Sequence, residues 1–104
     1  MARYDVYPNP EPGERAVTPF LLDLQNDYIS GLGTRVMAPL RAEGLFGKPA
    51  RGLNPIFLIG DTAVVLDTAA IGALPVQLLR QPVVSLRAQA TVISNALDTL
   101  FGGF

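Results

Sequence analysis

The chain has 104 residues, a net charge of −1 from 8 basic and 9 acidic side chains, 49% hydrophobic residues and only 16% charged ones. Without cysteine or histidine it can hold no disulfide, thiolate site, His-based triad or imidazole acid–base pair, and most zinc sites are excluded. Scattered basic residues argue against binding bare nucleic acid, and so much apolar surface on a small chain implies a homodimer interface or another large apolar contact.

The length suits a single domain over residues 1–104 with its own core. Residues 3–7 (RYDVY) alternate as a short strand, with Tyr4 and Val6 on one side. Residues 8–14 (PNPEPGE) read as an exposed loop of polyproline character, neither strand nor helix, serving as a surface connection or a partner-binding loop. Residues 20–25 read as a central strand, apolar on both faces except at Asp23, and residues 26–34 (NDYISGLGT) as turn-rich. A strand over residues 35–40 ends at Pro39, and residues 41–53 form a glycine-rich connection with room for a helical turn.

The clearest hairpin is residues 56–59, a buried strand, then Gly60-Asp61 as the turn, then 62–66. Residues 68–73 read as a loop or short helical turn, and 74–79 as the last strand, broken by Pro82. Leu86, Ala90, Ile93, Leu97 and Leu100 then recur at helical spacing, with Ser85 as the N-cap and Gly102-Gly103 as the stop, so residues 85–104 predict an amphipathic helix. Five or six strands followed by one helix point to an α+β, mainly β fold: a curled antiparallel sheet capped by a C-terminal helix. The chain opens without an apolar leader, and its longest uncharged run, residues 68–79, is too short to span a bilayer. The expected address is cytoplasmic, without membrane attachment.

Little in the sequence carries chemistry. Asp23, Asp27, Asp61 and Asp67 lack metal-chelating spacing, Gly31-Leu32-Gly33 lacks the lysine of a phosphate loop, and no nucleophile is placed beside an arginine. The expectation is no catalytic site, no metal and no cofactor. Apolar Tyr28-Ile29 in a turn, with Phe101 and Phe104 at the chain end, suggests instead an apolar protein-binding patch. The competing reading is that Tyr28 and Ile29 cover the foot of the helix.

The runs FLLDLQNDYI (20–29), RVMAPL (35–40), NPIFLIGD (54–61), LPV (74–76) and NALDTLFGGF (95–104) together resemble the CcdB family, the toxin subunits of bacterial toxin–antitoxin pairs. The resemblance implies an SH3-like fold of the CcdB/MazF type and a homodimer. It also implies a non-enzymatic toxin that binds the A subunit of DNA gyrase and traps its cleavage complex. A cognate antitoxin would neutralise it, and operator DNA would be bound only through the antitoxin complex. By resemblance, gyrase contacts fall on Tyr28, Ile29, Asp98, Phe101, Gly102, Gly103 and Phe104, and antitoxin contacts on Pro8, Asn9, Pro10, Glu11, Arg41, Lys48 and Arg51. The family ends Phe-Trp-Gly-Ile where this chain ends Phe101-Gly102-Gly103-Phe104. Two alternatives follow: a CcdB scaffold with altered target or lost toxicity acting as corepressor, or a MazF-like ribonuclease depending on an arginine such as Arg35.

Overall fold

The computed structural model describes residues 2–29 and 31–102. Seven strands make one antiparallel sheet: β1 (Asp5–Pro8), β2 (Phe20–Asp23), β3 (Thr34–Ala42), β4 (Ile56–Ile59), β5 (Thr62–Leu66), β6 (Gly72–Pro75) and β7 (Val84–Ser85). A four-residue helix, α1 (Glu43–Phe46), follows β3, and the 12-residue α2 (Ala90–Phe101) closes the fold. The strand order is β4-β5-β3-β2-β1-β7, with β6 paired separately to β3.

That branching curls the sheet. Along one edge of the nine-residue β3, Thr34 to Met37 pair with β6 and Leu40 to Ala42 with β5. Pro39 lies between the two stretches; there its carbonyl accepts from the Asp67 N–H at 2.9 Å and neither β5 nor β6 pairs with it, so a proline is tolerated in mid-strand. Expected at the strand's end, it sits instead where β3 changes partners. The result is a nearly closed barrel with one C-terminal helix, the α+β, SH3-like architecture expected from the sequence.

The main core lies between the sheet and α2, built from Val6, Leu22, Leu40, Phe57, Val64, Leu66 and, from the helix, Ile93 and Ala96. Tyr7, Leu21 and Met37 form a second cluster on the other side of the sheet, which is why β2 reads apolar on both faces. Burying one large aliphatic side chain such as Ile93 is worth about 1.5–3 kcal/mol, so the helix stripe fixes α2 to the barrel.

Several elements differ from expectation for local reasons. Ser85 belongs to β7, its hydroxyl accepting from the Arg87 N–H at 3.2 Å, and a 3-10 turn (Arg87–Gln89) precedes α2, so the regular helix begins at Ala90. The seventh strand is two residues long, too short for alternation to reveal. The stretch expected as the last strand pairs only through Pro75, after which Val76–Leu78 turns as a 3-10 segment. Residues 8–14 are not wholly irregular: Pro8 closes β1 and Pro12–Glu14 is a 3-10 turn started by its proline. Strand β4 buries only Phe57 and Ile59; Ile56 and Leu58 face outward. Among the described residues Tyr4 is the one non-glycine residue with positive φ, at 76°, and there its N–H reaches the Asp23 carbonyl at 2.7 Å while its carbonyl accepts from the Leu86 N–H at 2.8 Å. The kink stitches β2 to the approach to α2.

Candidate functional site

The turn after β2 is built by its own polar side chains. The Asn26 carboxamide oxygen accepts from the Tyr28 N–H at 2.9 Å, and the Asn26 carbonyl accepts from the Ile29 N–H at 3.1 Å, closing a 3-10 turn over Asp27–Ile29. Asp27 accepts the Arg3 N–H at 2.8 Å and lies 3.6 Å from the Arg87 guanidinium. The Arg3 N–H holds the Asp27 carboxyl below its ordinary range against desolvation, with the Arg87 and Arg35 charges helping. At the far side Gln25 donates to the Ile29 carbonyl at 2.9 Å. This framework displays Tyr28 at 96% exposure and Ile29 at 50%. Tyr28 stands almost wholly in solvent, so it does not cover the foot of the helix.

At the other end of α2, Asp98 is exposed and Phe101 is 68% exposed. Three residues apart on a helix, they lie on one face. Gly102 takes the left-handed cap conformation, φ 73°, and its N–H closes on the Asp98 carbonyl. Gly103 and Phe104 lie outside the described residues. Since α2 carries the chain about 17 Å from its first residue to its last, the turn and Phe101 mark two ends of the helix. The apolar stripe between them faces the core, so it does not join them into one patch.

Of the predicted antitoxin residues, Asn9, Glu11 and Arg41 are linked through Thr18 and the Asn9 side chain. Asn9 is only 5% exposed: its amide donates to the Thr18 carbonyl at 2.9 Å and its side-chain oxygen accepts from the Glu11 N–H at 3.0 Å. It is a strut inside the loop and offers a partner almost no surface. Arg41 reaches the same Thr18 through its hydroxyl at 2.7 Å and pairs with Asp67 at 2.9 Å. Pro8 and Pro10, with Pro12, line a groove of about 260 Å³ whose other wall is Gln77, Leu78 and Arg80, closed by Arg15. Glu11, Lys48 and Arg51 are exposed, the latter two in the connection after α1. Sequence reasoning missed Arg15 and Arg80 as lining residues, because no local pattern places residues 77–80 opposite the proline loop.

Arg35, the arginine singled out for RNA cleavage, is 1% exposed. Its guanidinium meets Asp23 in a two-pronged pair, Nε to Oδ2 at 2.9 Å and Nη2 to Oδ1 at 3.0 Å, and Asp23 is itself fully buried. Burial pushes the Asp23 carboxyl above its ordinary range, opposed by Arg35 and by the Gln25 N–H. Burial, then the nearby Asp5 and Asp23 charges, likewise raises the Tyr7 phenol. An arginine so enclosed and so paired cannot approach an RNA phosphate. The signal for this pair was Asp23 itself, a lone charge in an apolar strand, which needs a partner when buried. Among the described residues no three acidic side chains converge on a possible metal site, and no helix is long and apolar enough to cross a membrane.

The architecture is that of a small SH3-like barrel with a C-terminal helix, and its prominent exposed features are apolar side chains on a pinned turn and a helix end. The chain belongs to the CcdB family: the family model described as CcdB protein matches residues 3–103, essentially its whole length. Membership supports a toxin of a toxin–antitoxin system.

Proposed function

We propose that this chain, read as one toxin domain over residues 1–104, binds the A subunit of DNA gyrase and traps the gyrase–DNA cleavage complex. It acts by binding rather than by catalysis, as a cytoplasmic homodimer. The observation that carries this reading is the display of Tyr28, 96% exposed, and Ile29 on a turn held from both sides. A solvated aromatic on a pre-formed support costs little entropy to dock, the anatomy of an interface anchor. Asp98, Phe101, Gly102, Gly103 and Phe104 would supply the second contact. The cognate antitoxin would take the face formed by Pro8, Pro10, Glu11, Arg41, Lys48 and Arg51, with Asn9 bracing it. Release from gyrase and repression of the shared operon would follow, with operator DNA engaged only through that complex.

A second reading has one observation in its favour. Gly102 stands where the family carries tryptophan, and its positive φ of 73° suits glycine as a helix stop rather than as an anchor. A scaffold without that aromatic would serve as an antitoxin-binding corepressor or act on another target. Calorimetry with purified gyrase A subunit, using a variant truncated after Leu100 as control, separates the two. Dissociation constants of about 1 µM or tighter, equivalent to about −8 kcal/mol, that the truncation abolishes support gyrase as the target. No heat at high concentration rejects it.

A further inference from the structure

We infer that Gln25 is the positioning residue for the turn displaying Tyr28 and Ile29, acting from a buried position without touching a partner. The role rests on the proposed use of that turn in gyrase binding. Gln25 is 4% exposed, so it cannot itself contribute contact surface. Pairing of β2 with β3 ends at Asp23 and Met37, followed by the Leu24 N–H donating to the Val36 carbonyl at 2.9 Å. Beyond that point the side chain of Gln25 takes over the work of the ladder. Its oxygen accepts the Val36 N–H at 3.1 Å, and its nitrogen donates to the Ile29 carbonyl at 2.9 Å.

The backbone of Gln25 is anchored too. Its N–H donates to Asp23 at 3.0 Å and its carbonyl accepts from Arg35 at 3.4 Å. The two ends of the turn thus have different anchors. Asp27 ties the near end to Arg3 and Arg87, whereas Asn26 only closes the turn upon itself. Gln25 fixes the far end, at Ile29, to the sheet. A carboxamide is suited to this because it donates and accepts at once, uncharged, beside a buried ion pair.

The test compares wild type with Q25M, which loses both bonds, and Q25E at alkaline pH, where an ionised carboxylate can still accept from Val36 but cannot donate to Ile29. Backbone NMR order parameters for residues 27–29 should fall from about 0.85 toward about 0.6 in both variants. The Val36 amide should stay protected from hydrogen exchange in Q25E. Binding to gyrase A subunit should weaken roughly tenfold, mainly through a less favourable entropy. The control is V65A, a buried substitution in β5 that lowers thermal stability and should leave the turn's order parameters and the affinity unmoved. Unchanged order parameters in both Gln25 variants overturn the inference, as does a loosened turn that binds gyrase as tightly as wild type. Failure of wild type to bind gyrase rejects the target alone, and the order parameters then decide the clamp by themselves.

Discussion

Replacing Arg35 by methionine tests whether the buried pair is a structural keystone. The substitution keeps a long apolar side chain in place and removes the guanidinium. Asp23, fully buried, then retains the Gln25 N–H at 3.0 Å as its remaining hydrogen bond. Removing one partner of a buried pair costs about 3–5 kcal/mol, because the other charge is left uncompensated. For a domain of this size, at roughly 5 °C per kcal/mol, melting should fall by roughly 15–25 °C. The loss should depend on pH with a definite sign. Without the guanidinium, burial raises the Asp23 carboxyl further above its ordinary value of 3.8. A raised folded pKa means stability that is complete below 3.8 and lost as pH rises through the folded value, so the defect should be smaller at pH 4.5 than at pH 7. The double variant D23L/R35M should recover most of the loss, since it also removes the buried Asp23 carboxylate that R35M leaves uncompensated. Urea denaturation of wild type, R35M and the double variant at both pH values reads all three quantities. A single-variant cost below about 1 kcal/mol, or a double variant no more stable than R35M, would refute the reasoning.

Y28A and I29A should each leave urea stability within about 0.5 kcal/mol of wild type, as exposed positions do, while weakening gyrase A binding at least roughly tenfold in calorimetry. D27N should flatten the acid limb of the stability profile: the depressed Asp27 pKa contributes stability above 3.8 that disappears as pH falls through the folded value, and acid titration by circular dichroism would detect its absence. G102A should cost about 1–2 kcal/mol by forcing a side chain into the left-handed cap; the Cβ itself meets nothing within 4 Å, so thermal melting isolates the backbone effect.

The fold was legible where side-chain pattern and chain direction agree. The Gly60-Asp61 hairpin stands where expected because its apolar runs flank a glycine at positive φ of 60°. The helix stripe was correct in face, with Ile93 buried and Ala90 and Leu97 packed on the core, but the expected start at Ser85 was too early, because Ser85 spends its backbone on pairing with Asp5 and the regular helix begins at Ala90. Pairing between residues eighty apart leaves no local trace. Pro39 misled for the same reason: proline reads as a strand terminus unless one knows that β3 changes partners there. Asp23 was noticed, but its partner Arg35 lies twelve positions on, and only the register that sets Asp23 against Met37 brings them together.

For the candidate site, exposure was legible and arrangement was not. Tyr28, Ile29 and Phe101 are open to solvent as the sequence suggested, yet Asp27 fastens the turn to Arg87, at the start of the helical region, while Phe101 ends it. With α2 about 17 Å long, one protomer offers two separate contacts rather than one patch. A target engaging both must reach along the helix or meet the turn of one copy and the helix end of another. The two cases separate by stoichiometry. A partner that spans one helix binds each protomer independently, one per chain. A partner that needs the juxtaposition of two copies binds one per pair of copies, and if the proposed homodimer is that pair, dilution into monomers should abolish binding even though every contact residue is intact.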